Sequence, residues 1–386
     1  MKVLITAVGQ RTEHWTDLFA VLARQPGLQV TVAVADVSPL TARSLQRCAS
    51  QWPQLRYKQL PHMLSEARSG HMASIMIRPR ALRTFETDAP DVIHVIGEPS
   101  YLSTWQVIAW RNRRWPTVPL THYAAQNIAM RFPAPFPWLE RRAYEAVTHI
   151  FPITPAALKV LRTKGYRGAA SIVPLGVDTA RFTPAPRSST PGRFTVGFVG
   201  RLESHKGVSE LLHAVEKIDG DLLVVGQGRL SVTVREVARN RPGRVTVRDW
   251  VDHEELPGVL AQMDVLVLPS TEVVQRNVVP WVGIPLREQF GRVLVEAMAC
   301  GIPVIGSDVG EIPHVIGSAG LVFPAGDVAA LAERLVRLRD DPALAQRLGR
   351  AGVNRAAAEF GWDRAAATMR EVWDGLCSSN QEKVST

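Results

Sequence analysis

Arg287-Glu288-Gln289-Phe290-Gly291-Arg292-Val293-Leu294-Val295-Glu296-Ala297-Met298-Ala299-Cys300-Gly301-Ile302-Pro303-Val304-Ile305 is the stretch on which the reading of this chain turns. Val293, Leu294, Ala297 and Met298 fall at helical spacing on one apolar face, and Gly291 stands where that helix would begin. Gly301-Ile302-Pro303 ends it, and a buried strand follows. A helix that starts this way offers unpaired N–H groups and the positive end of its dipole, which together make a seat for phosphate.

Two carboxylates bracket the seat, Glu288 just before the helix and Glu296 on it. Carboxylates repel phosphate, so their use there is to accept hydrogen bonds from hydroxyl groups on either side of it. A nucleotide sugar carries hydroxyls in both places, on the sugar and on the ribose.

Outward from this stretch, the second half alternates short apolar runs with amphipathic ones. Strands are expected at Phe194–Val199, Asp221–Val225, Val245–Val247, Val265–Leu268 and Pro303–Gly306, and helices at Gly207–Lys217, Leu256–Gln262, Gly291–Ala299 and Val328–Arg339. The first half has the same rhythm, with strands at Lys2–Val8, Gln29–Ala35, Val92–Ile96 and Val118–Thr121 and a helix at Trp15–Arg24. This is the pattern of parallel sheets built from βαβ units, so the fold class is α/β with two doubly wound domains. Thr183-Pro184-Ala185-Pro186-Arg187-Ser188-Ser189-Thr190-Pro191-Gly192 breaks the periodicity. The expected organisation is a first domain over 1–183, a linker over 184–192 and a second domain over 193–363. A helix over 364–377 would return to the first domain, and 378–386 would be a disordered polar tail.

With 386 residues, of which 46% are hydrophobic, the chain has material for two cores. The apolar run at Met1–Val8 is too short for a signal segment and reads as a first strand. No stretch approaches the length of a membrane span, so the protein is expected to be cytoplasmic. Cys48, Cys300 and Cys377 are scattered and odd in number, which suits a reducing compartment and no metal site. The net charge of +9 is unevenly placed. Residues 1–186 carry 22 Lys and Arg against 11 Asp and Glu, whereas residues 187–386 carry 23 against 25. The basic half suits an anionic partner, such as an acceptor bearing phosphate or the inner face of a membrane, and equally suits an arginine-rich surface with no partner. Nucleic acid is not expected. Trp105, Trp110 and Trp115 with Arg111, Arg113 and Arg114 form the segment best suited to lipid headgroups, and ordinary helix packing accounts for it as well.

Glu288 through Val309-Gly310-Glu311-Ile312-Pro313 and Gly320-Leu321-Val322-Phe323-Pro324 resembles family 4 of the retaining glycosyltransferases. The same holds for Gly197-Phe198-Val199-Gly200-Arg201-Leu202 with Lys206-Gly207, for Pro174-Leu175-Gly176-Val177-Asp178 with Phe182, and for Leu268-Pro269-Ser270. The resemblance implies the GT-B fold, two facing Rossmann-like domains with a cleft between them. It implies a catalytic set of His122, Glu288, Arg201 and Lys206: Glu288 on the transferred sugar, Arg201 and Lys206 on the diphosphate leaving group, and His122 beneath the sugar.

Donor binding would further use Glu296 on the ribose, backbone groups of Phe290, Gly291, Arg292, Val293 and Leu294, the turns at Gly9 and Gly226, and the backbone near Val251, where Trp250 replaces a frequent glycine. UDP- or GDP-sugars are the implied donors. The mechanism would be same-face attack without metal, and no cofactor is expected. Where the family has a glycine-rich first loop, this chain has only Gly9, so either Gly9 approaches the phosphates or Arg11 and His14 reach toward them. Glu98, Gln126 and Asn127 are candidate contacts for the hydroxyl acceptor, and Thr271–Leu286 is a candidate lid or acceptor-shaping loop. The same fold would also serve an epimerase, a phosphorylase or a non-catalytic sugar-nucleotide binding protein.

Overall fold

The computed structural model describes residues 1–65, 74–85, 89–130, 132–186, 192–276 and 283–385. The chain forms two compact units, Met1–Leu175 with Trp362–Thr386, and Gly176–Gly361. Passage into the second unit thus comes before the Pro- and Ser-rich stretch, not within it. The Val177 N–H donates to the Phe360 carbonyl at 2.8 Å, and Phe182 is buried, so this segment is anchored to the second unit. Of the expected linker, residues 187–191 lie outside the described residues.

The first unit is built on β1 (Lys2–Val8), β2 (Gln29–Ala35), β3 (Leu55–Gln59), β6 (Val92–Ile96), β7 (Leu120–Ala124), β8 (His149–Pro152) and β9 (Ala169–Ala170), with a small antiparallel pair, β4 (His62–Leu64) and β5 (Met76–Ile77). The seven strands run in the order β3-β2-β1-β6-β7-β8-β9, every pair parallel. Strand order reverses between β1 and β6, and in such sheets ligands gather at the carboxyl ends beside that reversal.

The second unit repeats the scheme with β10 (Thr195–Val199), β11 (Asp221–Val225), β12 (Val245–Arg248), β13 (Val265–Leu268), β16 (Val304–Ser307) and β17 (Gly320–Phe323). Its order is β12-β11-β10-β13-β16-β17, all parallel, with the reversal between β10 and β13. Its inner strands β10, β11, β13 and β16 are short, mostly apolar and buried runs, as expected of a parallel sheet covered on both faces. Thr271–Leu286, read as a loop, contains β14 (Val273–Arg276) paired antiparallel with β15 (Gly283–Leu286); its 277–282 lie outside the described residues.

Two expectations change near the ends of elements. β7 covers Leu120–Ala124 rather than Val118–Thr121, because Thr121, His122 and Tyr123 are all buried between β6 and β8 despite their polarity. The last helix runs Trp362–Ser385, through the tail expected to be disordered. No proline or glycine after Gly375 stops it, and the Ser378 and Ser379 hydroxyls donate to the carbonyls of Asp374 and Gly375. That helix belongs to the first unit: the Trp373 indole N–H donates to Thr121 Oγ1 at 3.1 Å, Trp362 lies against Trp15, and Arg370 donates to the Pro26 carbonyl. Among the described residues no helix is long and apolar enough to cross a membrane.

Candidate functional site

At the carboxyl edge of the second sheet, the loops after β10 and β13 deliver Lys206 and Ser270 to one carboxylate. Lys206 Nζ lies 2.5 Å from Glu288 Oε2, and the Ser270 hydroxyl donates to the same oxygen at 3.0 Å. Burial works against a charge on Glu288, but the Lys206 ammonium and the two hydrogen bonds outweigh it and hold the carboxyl below the usual carboxylate range. Ser270 is itself held, since the Ser307 hydroxyl donates to its carbonyl at 2.5 Å.

Glycine is required at two close approaches here. A Cβ on Gly207, whose φ is 67°, would stand 1.9 Å from the Pro269 carbonyl oxygen, and one on Gly310 (φ 61°) would stand 2.0 Å from that of Glu288.

Three residues after Glu288, Gly291 takes a left-handed conformation and caps the helix Arg292–Ala299. Phe290 is buried with its ring edge-on to Phe360, so only its backbone is offered outward. Leu294, expected to present its N–H to phosphate, donates it instead to the Gly291 carbonyl at 2.9 Å. Glu296 is buried on the helix. Arg292 Nε lies 2.8 Å from its Oε1 as an i,i+4 ion pair, and His253 Nε2 lies 2.8 Å from the same atom. Burial raises the Glu296 carboxyl, and the charge of Arg292, the His253 hydrogen bond and the charge of Arg181 bring it below the usual range.

Arg201 is exposed directly after β10. The loops after β10 and β11 are tied together, Leu202 N–H to Gln227 O at 2.9 Å and Leu230 N–H to Leu202 O at 2.9 Å. A Cβ on Gly226 would meet the Gly200 carbonyl oxygen at 2.0 Å, so this glycine exists for backbone contact and not only for a turn. Past β12, Val251 is partly buried and Trp250 is 51% exposed.

In the first unit, Gly9 follows β1 with φ 85°, and its N–H donates to the Ala35 carbonyl. The Arg11 side chain lies outside the described residues. Glu98 and Ala125-Gln126-Asn127 stand at the carboxyl ends of β6 and β7, where Glu98 Oε1 accepts the Ala125 N–H at 2.9 Å. Burial pushes the Glu98 carboxyl up to about 7 against the opposing pull of that N–H and of Lys164. Lys164 donates to Gln126 Oε1 at 3.2 Å and pairs with Glu140 at 2.8 Å; Asn127 is buried. Of the aromatic and basic segment, Trp115 is core and Trp110 packs edge-on against it, which leaves Trp105 outward.

His122 is not where the sequence puts it. It lies in mid-strand in β7, fully buried, neither beyond the strand nor at its edge. Neither of its ring nitrogens has a hydrogen-bond partner among the described residues, nor has Nε2 of neighbouring His94, whose Nδ1 meets Thr121 Oγ1 at 2.9 Å. Burial lowers both histidines to about 3. Both are therefore neutral when folded, while the unfolded chain takes up protons as pH falls below about 6.5, so stability present above 6.5 is lost on acidification. Between pH 7 and pH 5 each histidine should cost about 1–2 kcal/mol. Urea midpoints across that range check this, and His122→Leu should flatten the slope.

Two family models match the chain: "Glycosyltransferase Family 4" over residues 12–181 and "Glycosyl transferases group 1" over residues 193–341. The chain belongs to this glycosyltransferase family. A GDP-mannose-dependent monoacylated alpha-(1-6)-phosphatidylinositol monomannoside mannosyltransferase of Corynebacterium glutamicum is 32% identical over 207 residues, 50% of this chain and 52% of that protein. The chain spans about half to two thirds of the length of the curated relatives it matches. Among solved structures, sucrose-phosphate synthase of Thermosynechococcus elongatus superposes with a TM-score of 0.76 at 22% identity over 97% of this chain and 99% of that one. Anabaena HepE in complex with UDP gives 0.73 at 15% identity, with 97% and 100% covered. At these identities the likeness is one of fold, that of the GT-B glycosyltransferases.

The sequence reading missed Arg181 and His253 beside Glu296, and Ser307 behind Ser270. Ser307 ends β16 beside Asp308, a position that a strand-end reading could have flagged. His253 sits in a loop between β12 and the next helix and carries no local signal. Among the described residues no three or more His, Cys, Asp or Glu are gathered as a metal site would need.

Proposed function

We propose that this protein is a retaining hexosyltransferase that moves a sugar from a UDP- or GDP-sugar to a hydroxyl acceptor. The observation that carries the reading is the placement of two carboxylates, Glu288 partly buried and Glu296 buried, each ionised against basic partners, before and on the helix Arg292–Ala299 at the carboxyl edge of the second sheet.

Glu288 accepts hydroxyls of the transferred sugar and Glu296 those of the ribose. N–H groups from Phe290 to Val293 and the cations Arg201 and Lys206 face the diphosphate, where charge develops as the glycosidic bond breaks. The acceptor oxygen attacks the oxocarbenium-like centre from the face the diphosphate leaves, and the departing phosphate oxygen takes its proton. With two side-chain cations at the leaving group, the reaction proceeds without metal. Gly9 serves the donor, and Glu98, Gln126 and Asn127 serve the acceptor. The basic first half favours an anionic acceptor, free or at a membrane surface. His122, sealed within its strand, has a packing role and no part in this scheme.

Mass spectrometry over a donor and acceptor panel, with a chelator present and the product anomer assigned by NMR, tests the proposal. The expected result is an acceptor-dependent product of retained configuration. Donor conversion without acceptor would point to an epimerase, dependence on inorganic phosphate to a phosphorylase, and thermal protection without turnover to a binding protein.

A further inference from the structure

Glu296 does not stand alone on its helix. Its Oε1 is held from two directions, by Arg292 one turn earlier and by His253 from the loop after β12. His253 is in turn held on its far side, where Arg181 Nη1 lies 3.0 Å from Nδ1. Arg181 is anchored by Asp178 Oδ2 at 3.2 Å, and the Phe182 ring lies against the imidazole with centroids 5.0 Å apart. The motif from Pro174 to Phe182, to which no part of the reaction has been assigned above, thus reaches Glu296 through one histidine.

The chemistry of the partners sets the tautomer. A guanidinium only donates, so Nδ1 accepts from Arg181; a carboxylate only accepts, so Nε2 carries the proton and donates to Glu296. Arg292 Nη2 lies 2.7 Å from Nε2 as well, so Arg292 and Glu296 compete for that nitrogen; the Arg181 contact at Nδ1 favours the tautomer in which Nε2 donates to Glu296, with Arg292 paired to the carboxylate by charge. Both neighbours grip the same oxygen, so the carboxylate plane is set from one side. Without the imidazole, Oε1 keeps the charge of Arg292, on the same helix face.

We infer that His253, with its tautomer set by Arg181, is a positioning residue that orients Glu296 for the ribose hydroxyls of the donor. This rests on the reading of Glu296 as the ribose partner. His253 acts only through that carboxylate, so its effect should appear where the ligand has a ribose diol and vanish where it has none.

The test is calorimetric affinity for UDP and for 2′,3′-dideoxy-UDP, or for the GDP pair if the protein prefers guanine, in wild type, Glu296→Ala, His253→Ala, His253→Gln and Arg181→Gln. One oriented hydrogen bond to a charged group corresponds to roughly tenfold in affinity, so His253→Ala should weaken the ribonucleotide about tenfold and leave the dideoxy form unchanged. His253→Gln, which retains an N–H donor, should recover part of the loss. Arg181→Gln, at a partly exposed side chain, should give about threefold in the same ribose-dependent way and carries the test should His253→Ala fail to fold.

Equal weakening of both nucleotides, or of neither, in the His253 and Arg181 variants while Glu296→Ala abolishes the ribose preference would overturn the inference alone. A ribose preference that survives Glu296→Ala would overturn the inference and the ribose reading together.

Discussion

Glu288→Gln is expected to lower turnover roughly a thousandfold without weakening the affinity for the nucleoside diphosphate. The two effects separate because of what surrounds the carboxylate. Its Oε2 is shared by Lys206 at 2.5 Å and Ser270 at 3.0 Å, so in the ligand-free protein it occupies the ammonium that the leaving group needs. Gln keeps an oxygen for Ser270 but removes the negative charge, which frees Lys206 to face phosphate and removes a repulsion from it. Diphosphate binding should therefore hold or tighten, while the contacts to the reacting sugar are lost. Steady-state kinetics with titration of the sugar-free diphosphate checks both. A kcat within threefold of wild type, or a parallel loss of diphosphate affinity, would remove Glu288 from the proposed role.

Gly310→Ala should destabilise the second unit by about 3 kcal/mol and cut turnover about a hundredfold. Gly310 packs directly on the backbone of Glu288: an added Cβ would stand 2.0 Å from its carbonyl oxygen, and the next residue, Glu311, donates its N–H to that same oxygen at 3.3 Å. Neither partner is a flexible side-chain tip, so the Glu288 segment has to move, and a displacement near 1 Å at a reacting group is costly. Gly326→Ala is the control. Its φ of 79° carries a similar backbone penalty, but a Cβ there meets nothing within 4 Å. It should lose only about 1 kcal/mol and little activity. Equal losses in the two variants would show that backbone strain, not contact with Glu288, governs the effect.

The second unit was largely legible because most of its strands are short apolar runs and its turns carry glycines that have no substitute. Gly207, Gly226, Gly291 and Gly310 all sit where an added Cβ meets another part of the chain. The first unit was less so. Thr121, His122 and Tyr123 break the apolar run of β7, yet burial between two parallel neighbours overrides their polarity, and the strand end moves by three residues. That shift takes His122 into the sheet and places Ala125, Gln126 and Asn127 at the edge. The grip on Glu296 was illegible for another reason: Arg181 and His253 lie 72 residues apart and meet only through the fold.

The most direct test of the donor site is calorimetric titration of UDP- and GDP-sugars, with chelator present, into wild type, Glu288→Ala and Arg201→Ala, together with donor turnover in each. The site described here predicts saturable binding of at least one donor by wild type and roughly tenfold or greater loss in each variant, the magnitude of one charge-assisted contact to the sugar or the diphosphate. Unchanged binding and turnover in both variants, or no binding of any donor by wild type, would contradict it.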